Sequence, residues 1–409
     1  MFLDQYRRTT KNGEGRPQLV GPLFALVMLA TFSYFISVGA LQPTLPRFIE
    51  GPLSGSDVAV GVGIASFSLA AVVLRPLVGR ISDTYGRRIL IVSGGLVVGG
   101  SSLALVWAST LPVLFGLRFL AGVGEAAFYV GCATIINDLA PDERRGEAFS
   151  YFSLALFGGL AVGPIIGETM LENFGYNAAW QIVAWTSVLA SLIGLRLPDT
   201  RPAVDASEGV QKRRWIHPAG VLPGTVLASA ILGLAGFATF VPLYALQIGM
   251  DGSRLVFALS SVLIFSIRLL GARIPDILGA RKAGRIALIL NTSGFLVMAL
   301  WARPAGLFVG TALYAMGQSL IFPALMTLAI GNAPPSERGA VVGTFTAFFD
   351  LAFGLGAVSL GWVASHFGYN GVFMGAAISA ALGLGALQMA TRSRTPRVPA
   401  PEPVEAGER

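Results

Sequence analysis

Two charged side chains lie close together in an otherwise apolar stretch of the chain, residues 111–138. Arg118 and Glu125 are seven residues apart, so on a helix they would lie on nearly the same face, about 10 Å apart along the axis. Charges in an apolar helix are costly to bury and usually face a polar cavity or each other. A carboxyl in that setting can take up a proton on one side and release it on the other. The alternative is a static Arg–Glu pair that holds helices together.

Two further carboxyl groups interrupt apolar stretches. Asp350 is predicted to lie deep within its stretch. The residue 193 positions before it is Phe157, so in an internal repeat of that offset this carboxyl belongs to one copy only. The asymmetry favours a cavity or proton-binding role, with helix packing as the alternative. Glu168 lies nearer the end of its stretch, where contact with water is the alternative. The charged candidates for proton or substrate binding are therefore Arg118, Glu125, Asp350 and Glu168.

Uncharged polar side chains in apolar stretches are candidates for lining a cavity. Gln318 follows Glu125 by 193 residues, which suggests that the two face equivalent interior surfaces. For each side chain of this group, packing or a hydrogen bond to a neighbouring helix is the commoner role. The candidates are Tyr34, Tyr129, Asn291 and Gln318.

The composition places these residues in a membrane protein. The chain has 409 residues, of which 54% are hydrophobic and only 12% are charged, whereas an average soluble protein is about 25% charged. Apolar runs of about 18 residues or more, the length that spans a bilayer, recur along the whole sequence. A chain of this kind crosses the membrane many times.

The apolar runs predict an all-α integral membrane protein with twelve transmembrane helices in two pseudo-symmetric six-helix bundles. The first half is 20–197 and the second is 219–391, joined by a charged linker, 198–218. A polar, basic segment, 1–19, precedes them, and a Pro-rich, charged tail, 392–409, is predicted to be disordered. The predicted spans are 20–45, 57–78, 89–108, 111–138, 147–171, 178–197, 219–247, 254–274, 284–302, 305–331, 340–365 and 370–391.

The basic residues orient this chain in its bilayer. Of 29 lysines and arginines, three (Arg75, Arg118 and Arg268) fall within spans or at their ends. The predicted topology places another three in outer segments and the remaining 23 inside, which is the asymmetry of the positive-inside rule. The net charge of +7 therefore does not indicate a nucleic-acid partner. Both termini are predicted to be cytoplasmic, with the chain in the plasma membrane.

A duplicated segment organises the two halves. Residues 75–88 and 268–281 are identical at seven of 14 positions at an offset of 193 residues, where chance gives roughly one match. A constant offset of this length indicates two copies of a domain-sized unit. Because each copy has an even number of spans, both copies have the same orientation. Two parallel six-helix halves form a known transporter plan, in which the substrate path lies between them.

The pattern Gly79-x-x-x-Asp83-x-x-Gly86-Arg87-Arg88 resembles the signature loop of the major facilitator superfamily. A degraded copy, which retains Asp276, Gly279 and Arg281, is also typical of that family. The twelve predicted spans, the central linker and the duplication extend the resemblance over about residues 20–391.

Two weaker elements also resemble those of the family, and each departs from the pattern. Arg118-Phe-Leu-Ala121-Gly122 is similar to an Arg-x-x-Gln-Gly element, with Ala121 where Gln is usual. The glycines of Gly159-x-x-x-Gly163-Pro164-x-x-Gly167 match an element of drug antiporters, but Glu168 replaces its final Gly. The match favours export by proton exchange, and the departure weakens that inference. The glycines permit close helix approach, and Pro164 is predicted to bend its span.

The resemblance also implies a gate on the cytoplasmic side. Asp83 would dock on the start of the eleventh span, near Gly339, where free N–H groups carry positive partial charge. Pseudo-symmetry would give Asp276 the same role at the fifth span, near Glu147. Arg87 and Arg88 would meet carboxylates or lipid phosphates. The alternative is a loop that only fixes membrane orientation.

These observations together predict a secondary active transporter that works by alternating access. The expected activity is proton-coupled efflux of small, largely apolar compounds by a monomer. Proton symport or facilitated diffusion of a sugar-like metabolite is the transport alternative, and a membrane receptor or scaffold is the alternative without transport. The sequence shows no catalytic cluster, and His217, His366 and the single cysteine, Cys132, do not suggest a metal site. No cofactor is expected beyond a proton gradient.

Overall fold

The computed structural model describes residues 21–140, 144–199, 216–270, 277–331 and 338–392, and their regular elements are all helical. A short 3₁₀ helix, Leu105–Trp107, follows the third α-helix. The predicted all-α class is therefore confirmed across these ranges. In chain order the α-helices are α1 (Pro22–Glu50), α2 (Asp57–Tyr85), α3 (Arg87–Ala104), α4 (Leu111–Leu139), α5 (Arg145–Gly194), α6 (Pro218–Gln247), α7 (Arg254–Leu270), α8 (Ala280–Leu300), α9 (Pro304–Ile330) and α10 (Arg338–Arg392).

The two longest helices each contain one non-helical glycine. Gly175 has φ 78° and ψ −176°, and Gly368 has φ 67° and ψ −178°, values that glycine adopts without the steric penalty of a Cβ atom. We name the segments on either side α5a (145–174) and α5b (176–194), and α10a (338–367) and α10b (369–392).

The chain reverses direction at both glycines. Along α5a, residues 159–167 pass residues 32–40 of α1 in the same order, whereas along α5b residues 180–187 pass residues 48–37 in reverse order. The segments α10a and α10b stand in the same relation to α6. Each long helix is therefore a pair of antiparallel segments that share one neighbouring helix.

Nine helices of the described residues are long and apolar enough to cross a membrane, and α5 and α10 are among the nine. Each of these two contains a pair of antiparallel segments. Helix α7, whose described part has 17 residues, is shorter than these nine, so the number of twelve spans stays a prediction. Large apolar side chains such as Trp185, Leu270 and Leu382 are 65%, 86% and 70% exposed, as expected for a surface that faces lipid.

The sequence repeat is also a repeat of backbone geometry. Five glycines of the described residues have positive φ, and four of them form two pairs separated by 193 residues, Gly86 with Gly279 and Gly175 with Gly368. The first pair forms the turns before α3 and α8, and the second pair forms the reversals of α5 and α10. The two halves are therefore pseudo-symmetric six-helix units. Most of the predicted linker and nearly all of the two predicted terminal segments lie outside the described residues.

The predicted signature loop is shorter than expected. The helix α2 continues to Tyr85 and α3 begins at Arg87, so only Gly86 separates them. Gly79 and Asp83 therefore belong to a helix and not to the predicted loop, whereas the predicted end of the span at residue 78 stays a prediction because a helix can continue beyond the bilayer. The left-handed conformation of Gly86, with φ 95°, makes this one-residue turn sterically accessible.

Two pairs of helices pack across the interface between the halves. Residues 57–68 of α2 pass residues 361–354 of α10a in reverse order. The equivalent pair is α5a with α7, where residues 172–157 pass residues 254–268. This symmetry follows from the repeat, because α2 corresponds to α7 and α10a corresponds to α5a.

Polar contacts join the halves at the end of the molecule that contains Gly175 and Gly368, which we call the predicted outer end. The hydroxyl of Tyr369 on α10b is 3.0 Å from Asp57 Oδ1 and 3.5 Å from Glu50 Oε1. A second contact joins Arg254 Nη1 to Glu172 Oε2 at 2.5 Å. In both contacts, one partner belongs to the first half and the other to the second half.

Glu168 makes the most buried of these contacts. Its side chain is 0% exposed and pairs with Arg47 of α1, whose side chain is 11% exposed. Its carboxylate oxygens also accept the backbone N–H of Ser253, at 2.9 and 3.0 Å. Ser253 immediately precedes α7, where a carboxylate is stabilised by free N–H groups. Glu168 therefore ties the first half to the start of a helix in the second half.

Within the first half, α1 and α5a approach so closely that only small residues fit between them. A Cβ atom on Gly163 would lie 2.5 Å from the Ile36 carbonyl oxygen and 2.7 Å from Gly39 Cα. Gly159 and Gly167 pack on the same helix, because a Cβ atom on them would lie 2.6 and 2.3 Å, respectively, from carbonyl oxygens of α1. The antiporter-like element is thus a packing surface on α1, and Pro164 lies within it without a break in the helix.

Replacement of Gly163 tests this packing. Gly163→Ala should lower the melting temperature of the purified protein, because overpacking of a helix interface costs about 1–3 kcal/mol. Gly100→Ala is the matched control, since a Cβ at Gly100 meets nothing within 4 Å and alanine favours a helix. Equal melting temperatures for the two variants would show that α1 and α5a are not tightly packed.

The contact of Glu168 predicts a difference between two neighbouring carboxyl groups. Glu168→Gln leaves the charge of Arg47 buried without a counter-ion, and loss of one partner of a buried pair costs about 3–5 kcal/mol. Glu172→Gln removes a pair whose side chains are 42% and 29% exposed, and exposed pairs contribute only about 0–1 kcal/mol. The melting temperature should therefore fall strongly in the first variant and little in the second. The reverse order would contradict the role of Glu168.

Candidate functional site

Arg118 lies in the interior of the first half, where α4 passes α2. Its side chain is 6% exposed. The guanidinium carbon is 4.6 Å from the centroid of the Phe67 ring, and Nε donates a long hydrogen bond of 3.5 Å to the Gly63 carbonyl oxygen. The stacking on an aromatic ring stabilises the cation and fixes the plane of its donors.

Close packing of α4 on two neighbours positions Glu125. A Cβ on Gly122 would lie 2.2 Å from the Phe67 carbonyl oxygen of α2, and one on Gly124 would lie 2.6 Å from the Gly94 carbonyl oxygen of α3. Small residues therefore let α4 sit between these two helices. Glu125, which follows them, is 6% exposed. The structure thus buries both members of the predicted Arg118–Glu125 pair on one helix.

Tyr34 and Tyr129 lie beside α4 in the core of the first half. The Tyr34 ring stacks on Phe128 with centroids 4.0 Å apart, and its side chain is 0% exposed. Tyr129 is partly buried, and its ring is 5.7 Å from that of Phe152. Since Tyr34 has no exposed surface here, a cavity-lining role for it stays a prediction about another conformation.

In the second half, Asn291 and Gln318 lie on the adjacent helices α8 and α9. Asn291 is 0% exposed and lies against Gly317, where a Cβ would come within 2.3 Å of Asn291 Oδ1. Neither amide atom of Asn291, nor Oε1 of the 6% exposed Gln318, has a hydrogen-bond partner among the described residues. The predicted positions therefore carry buried polar groups with unused hydrogen-bonding capacity.

Asp350 lies on the surface of α10a that faces α2. It is partly buried and one helical turn before Gly354, which packs on Ser68 of α2. Residues four apart share a helix face, so Asp350 belongs to the interface between the halves. Its predicted proton role stays a prediction.

The residues of the predicted cytoplasmic gate are only partly described. Arg87 is buried and pairs with Asp138 at the end of α4, with Nε 3.1 Å from Oδ2. Its backbone N–H donates to Asp199 Oδ1 at 3.2 Å. This confirms the expectation that Arg87 meets carboxylates. Arg88 and Arg281 are exposed. The predicted docking of Asp83 and Asp276 falls on side chains outside the described part of the chain.

Arg268 is a partly buried charge that is counted among the arginines of the predicted spans but is not among the site candidates predicted from the sequence. Its guanidinium carbon lies 3.9 Å from the centroid of the Phe157 ring. Arg268 is on α7 and Phe157 is on α5a, so the contact crosses the interface between the halves. The signal available in the sequence was an arginine within an apolar stretch. Its repeat counterpart is Arg75, and the repeat counterpart of Phe157 is Asp350, so an aromatic ring stands where the other half has a carboxyl.

Metal ligands are not grouped in the described ranges. They contain no set of three or more His, Cys, Asp or Glu side chains that could hold a metal ion. His217 instead caps α6, because its Nδ1 accepts the N–H of Ala219 at 3.2 Å and its own N–H donates to Thr344 Oγ1 at 2.8 Å.

Solved structures share this fold at low sequence identity. The peptide transporter POT superposes with a TM-score of 0.76 at 15% identity, over 95% of this chain and 98% of its own. The human organic anion transporter MFSD10 gives 0.69 at 20% identity, over 90% and 100%. At such identities the comparison shows the fold alone.

Sequence relatives cover nearly the whole chain. An uncharacterized MFS-type transporter of Salmonella typhimurium is 27% identical over 382 residues, 90% of this chain and 96% of the relative. Another, of Burkholderia pseudomallei, is 27% identical over 367 residues, 88% and 89% of the two chains. The family model described as Major Facilitator Superfamily matches residues 27–304 and 254–409. This multi-pass membrane protein belongs to the major facilitator superfamily.

Proposed function

We propose that this chain is a secondary active transporter that exports small, largely apolar compounds in exchange for protons by alternating access. Membrane transport itself follows from the family and from relatives named as transporters. The observation that carries the proton coupling is the burial of Glu125, at 6% exposure, seven residues from the buried Arg118 on the same helix. Solved structures of this fold are named for peptide, nucleoside and organic anion transport, so the fold alone does not choose the substrate.

A buried carboxyl is suited to proton exchange because its charge is costly in an apolar environment. Protonation of Glu125 removes that cost, and a nearby cation such as Arg118 restores a preference for the charged form. A conformational change that alters the exposure of α4 would therefore change the proton affinity of Glu125. That linkage between proton binding and conformation is what coupling by alternating access requires.

The direction of transport rests on the antiporter-like element. Gly159, Gly163 and Gly167 pack α5a directly on α1, as expected of an element that stabilises one conformation of the first half. Glu168, which replaces the last glycine of the family pattern, binds the start of α7 in the second half. The contact of Glu168 joins the two halves at the predicted outer end, whereas the glycine packing lies within the first half. Proton symport or facilitated diffusion of a sugar-like metabolite is the alternative, and the departure at Glu168 is what favours it.

The cellular setting of this proposal follows from charge and architecture. Each six-helix half packs on the other through α2 with α10a and α5a with α7, so one chain contains a complete path. We therefore place the transporter in the plasma membrane as a monomer with cytoplasmic termini, as the distribution of basic residues predicts. The proton gradient supplies the energy, and no further cofactor is involved.

Substitution of Glu125 tests the coupling. In proteoliposomes with an imposed proton gradient, a panel of radiolabelled small apolar compounds should move against the direction of proton flow. Glu125→Gln, which cannot change its charge, should reduce substrate-dependent proton flux at least about tenfold, as removal of a proton-transfer group typically does. The readouts are a pH-sensitive dye inside the vesicles and the retained label.

Glu172→Gln is the control for this experiment, because Glu172 lies at the predicted outer end in a partly exposed pair with Arg254. Its proton flux should remain close to that of the unsubstituted protein. Unchanged proton flux in Glu125→Gln would rule out the coupling role. Movement of substrate and protons in the same direction would support the symport alternative, and absence of any flux would support a receptor or scaffold.

A further inference from the structure

Arg268 is a charged side chain at the interface of the halves that lacks a hydrogen-bond acceptor among the described residues. It is partly buried on α7, and its guanidinium stacks on the Phe157 ring of α5a at 3.9 Å. It forms no hydrogen bond or ion pair with any described residue, and its Nε is buried without a partner there. The contact with an aromatic face is therefore its one specific interaction within the described ranges.

Stacking leaves the hydrogen-bonding capacity of this side chain unused. A guanidinium is planar and has five N–H donors in its plane, whereas the Phe157 ring covers one face. Cation–π attraction offsets only part of the cost of burying an ion. The in-plane donors of Arg268 thus remain available for an oxyanion, which a guanidinium binds through two parallel hydrogen bonds.

Two other largely buried arginines of the described residues have carboxylate partners, and Arg118 has a hydrogen bond to a backbone carbonyl oxygen. Arg47 pairs with Glu168, and Arg87 pairs with Asp138. These pairs satisfy the charge within the protein and leave no reason to invoke a ligand. Arg268 differs from them because its neighbour across the interface is a phenyl ring.

The repeat shows that this neighbour is special to one half. Arg75 is the counterpart of Arg268, and the counterpart of Phe157 is Asp350. At one interface the repeat positions are occupied by Arg75 and Asp350. At the other they are occupied by Arg268 and Phe157, so an aromatic ring stands in place of the carboxyl. The described residues therefore offer Arg268 no counter-ion at the position where the other interface has a carboxyl.

We propose that Arg268 binds the carboxylate of the transported compound, with Phe157 holding the guanidinium plane and contacting the apolar body. The substrate class is small monocarboxylates with an apolar group, of which benzoate is a simple example. This inference rests on the proposed transport function and narrows its substrate. Arg268 faces the opposite half rather than lipid, which favours a solute over the phosphate of a lipid headgroup as the source of the oxyanion.

Ligand binding to the purified, full-length protein tests the proposal without any transport step. In neutral detergent free of anionic lipid, benzoate should raise the melting temperature in a saturable manner, because a ligand of the native state stabilises it. Benzyl alcohol, of similar size but uncharged, should not. Arg268→Gln should raise the half-maximal benzoate concentration at least about tenfold, the loss expected for a hydrogen-bonded charge.

Two further variants keep the test interpretable. Arg268→Lys retains the charge but not the planar fork, so it should bind benzoate with intermediate strength, and it carries the test if the glutamine variant is unstable. Arg303→Gln is the control, because Arg303 is exposed before α9. Its response to benzoate should equal that of the unsubstituted protein.

Four outcomes would overturn the assignment. These are no effect of benzoate on the unsubstituted protein, equal stabilisation by benzyl alcohol, an unchanged benzoate response in Arg268→Gln, and an Arg268-dependent stabilisation by phosphatidylglycerol alone. The last result would identify a lipid headgroup as the ligand. None of these four outcomes contradicts proton coupling at Glu125. Normal benzoate binding together with unaltered proton flux in Glu125→Gln would contradict the coupling and leave the assignment of Arg268 intact.

Discussion

The cost of placing a charge in the bilayer interior is the constraint on which the rest of this structure depends. Only a few of the described charged side chains are buried, and most of those have a partner of opposite charge or an aromatic face. Each partner comes from a different helix, so every satisfied charge also fixes a helix–helix contact. The polar side chains that fix the helix contacts are therefore also the candidates for binding protons and substrate.

The interface between α5a and α7 shows how the pairing of buried charges allows the two halves to move apart. At the predicted outer end, Glu168 caps the start of α7 while its charge is balanced by Arg47 within its own half. Of the contacts of Glu168, separation of the halves would break the hydrogen bonds to the start of α7, such as those to Ser253, and would leave the ion pair with Arg47 intact. A charge that stays paired in both states lowers the cost of opening, which is what alternation between two conformations requires.

The sequence predicted the architecture because hydrophobic length and the repeat are properties of the chain itself. The all-α class, the repeat between the halves and the burial of Arg118 and Glu125 follow from such patterns, and the structure agrees with them. Helix ends were less predictable, since α2 runs to Tyr85 through a segment whose polarity suggested a loop. Contacts between distant residues, such as Tyr369 with Asp57 or Arg268 with Phe157, depend on how helices pack and leave no local pattern.

The differences between the two copies point to residues that local sequence patterns do not reveal. A duplicated protein that kept perfect symmetry would carry the same charged groups on both sides of its path. Here Glu125 corresponds to Gln318, and Asp350 corresponds to Phe157, so each half has lost a carboxyl that the other retains. The carboxyl of α4 can exchange a proton where the amide of α9 cannot, and the arginine beside Phe157 keeps donors that a carboxylate would occupy. Divergence between the copies therefore gives the two halves different ionisable groups on a symmetric scaffold.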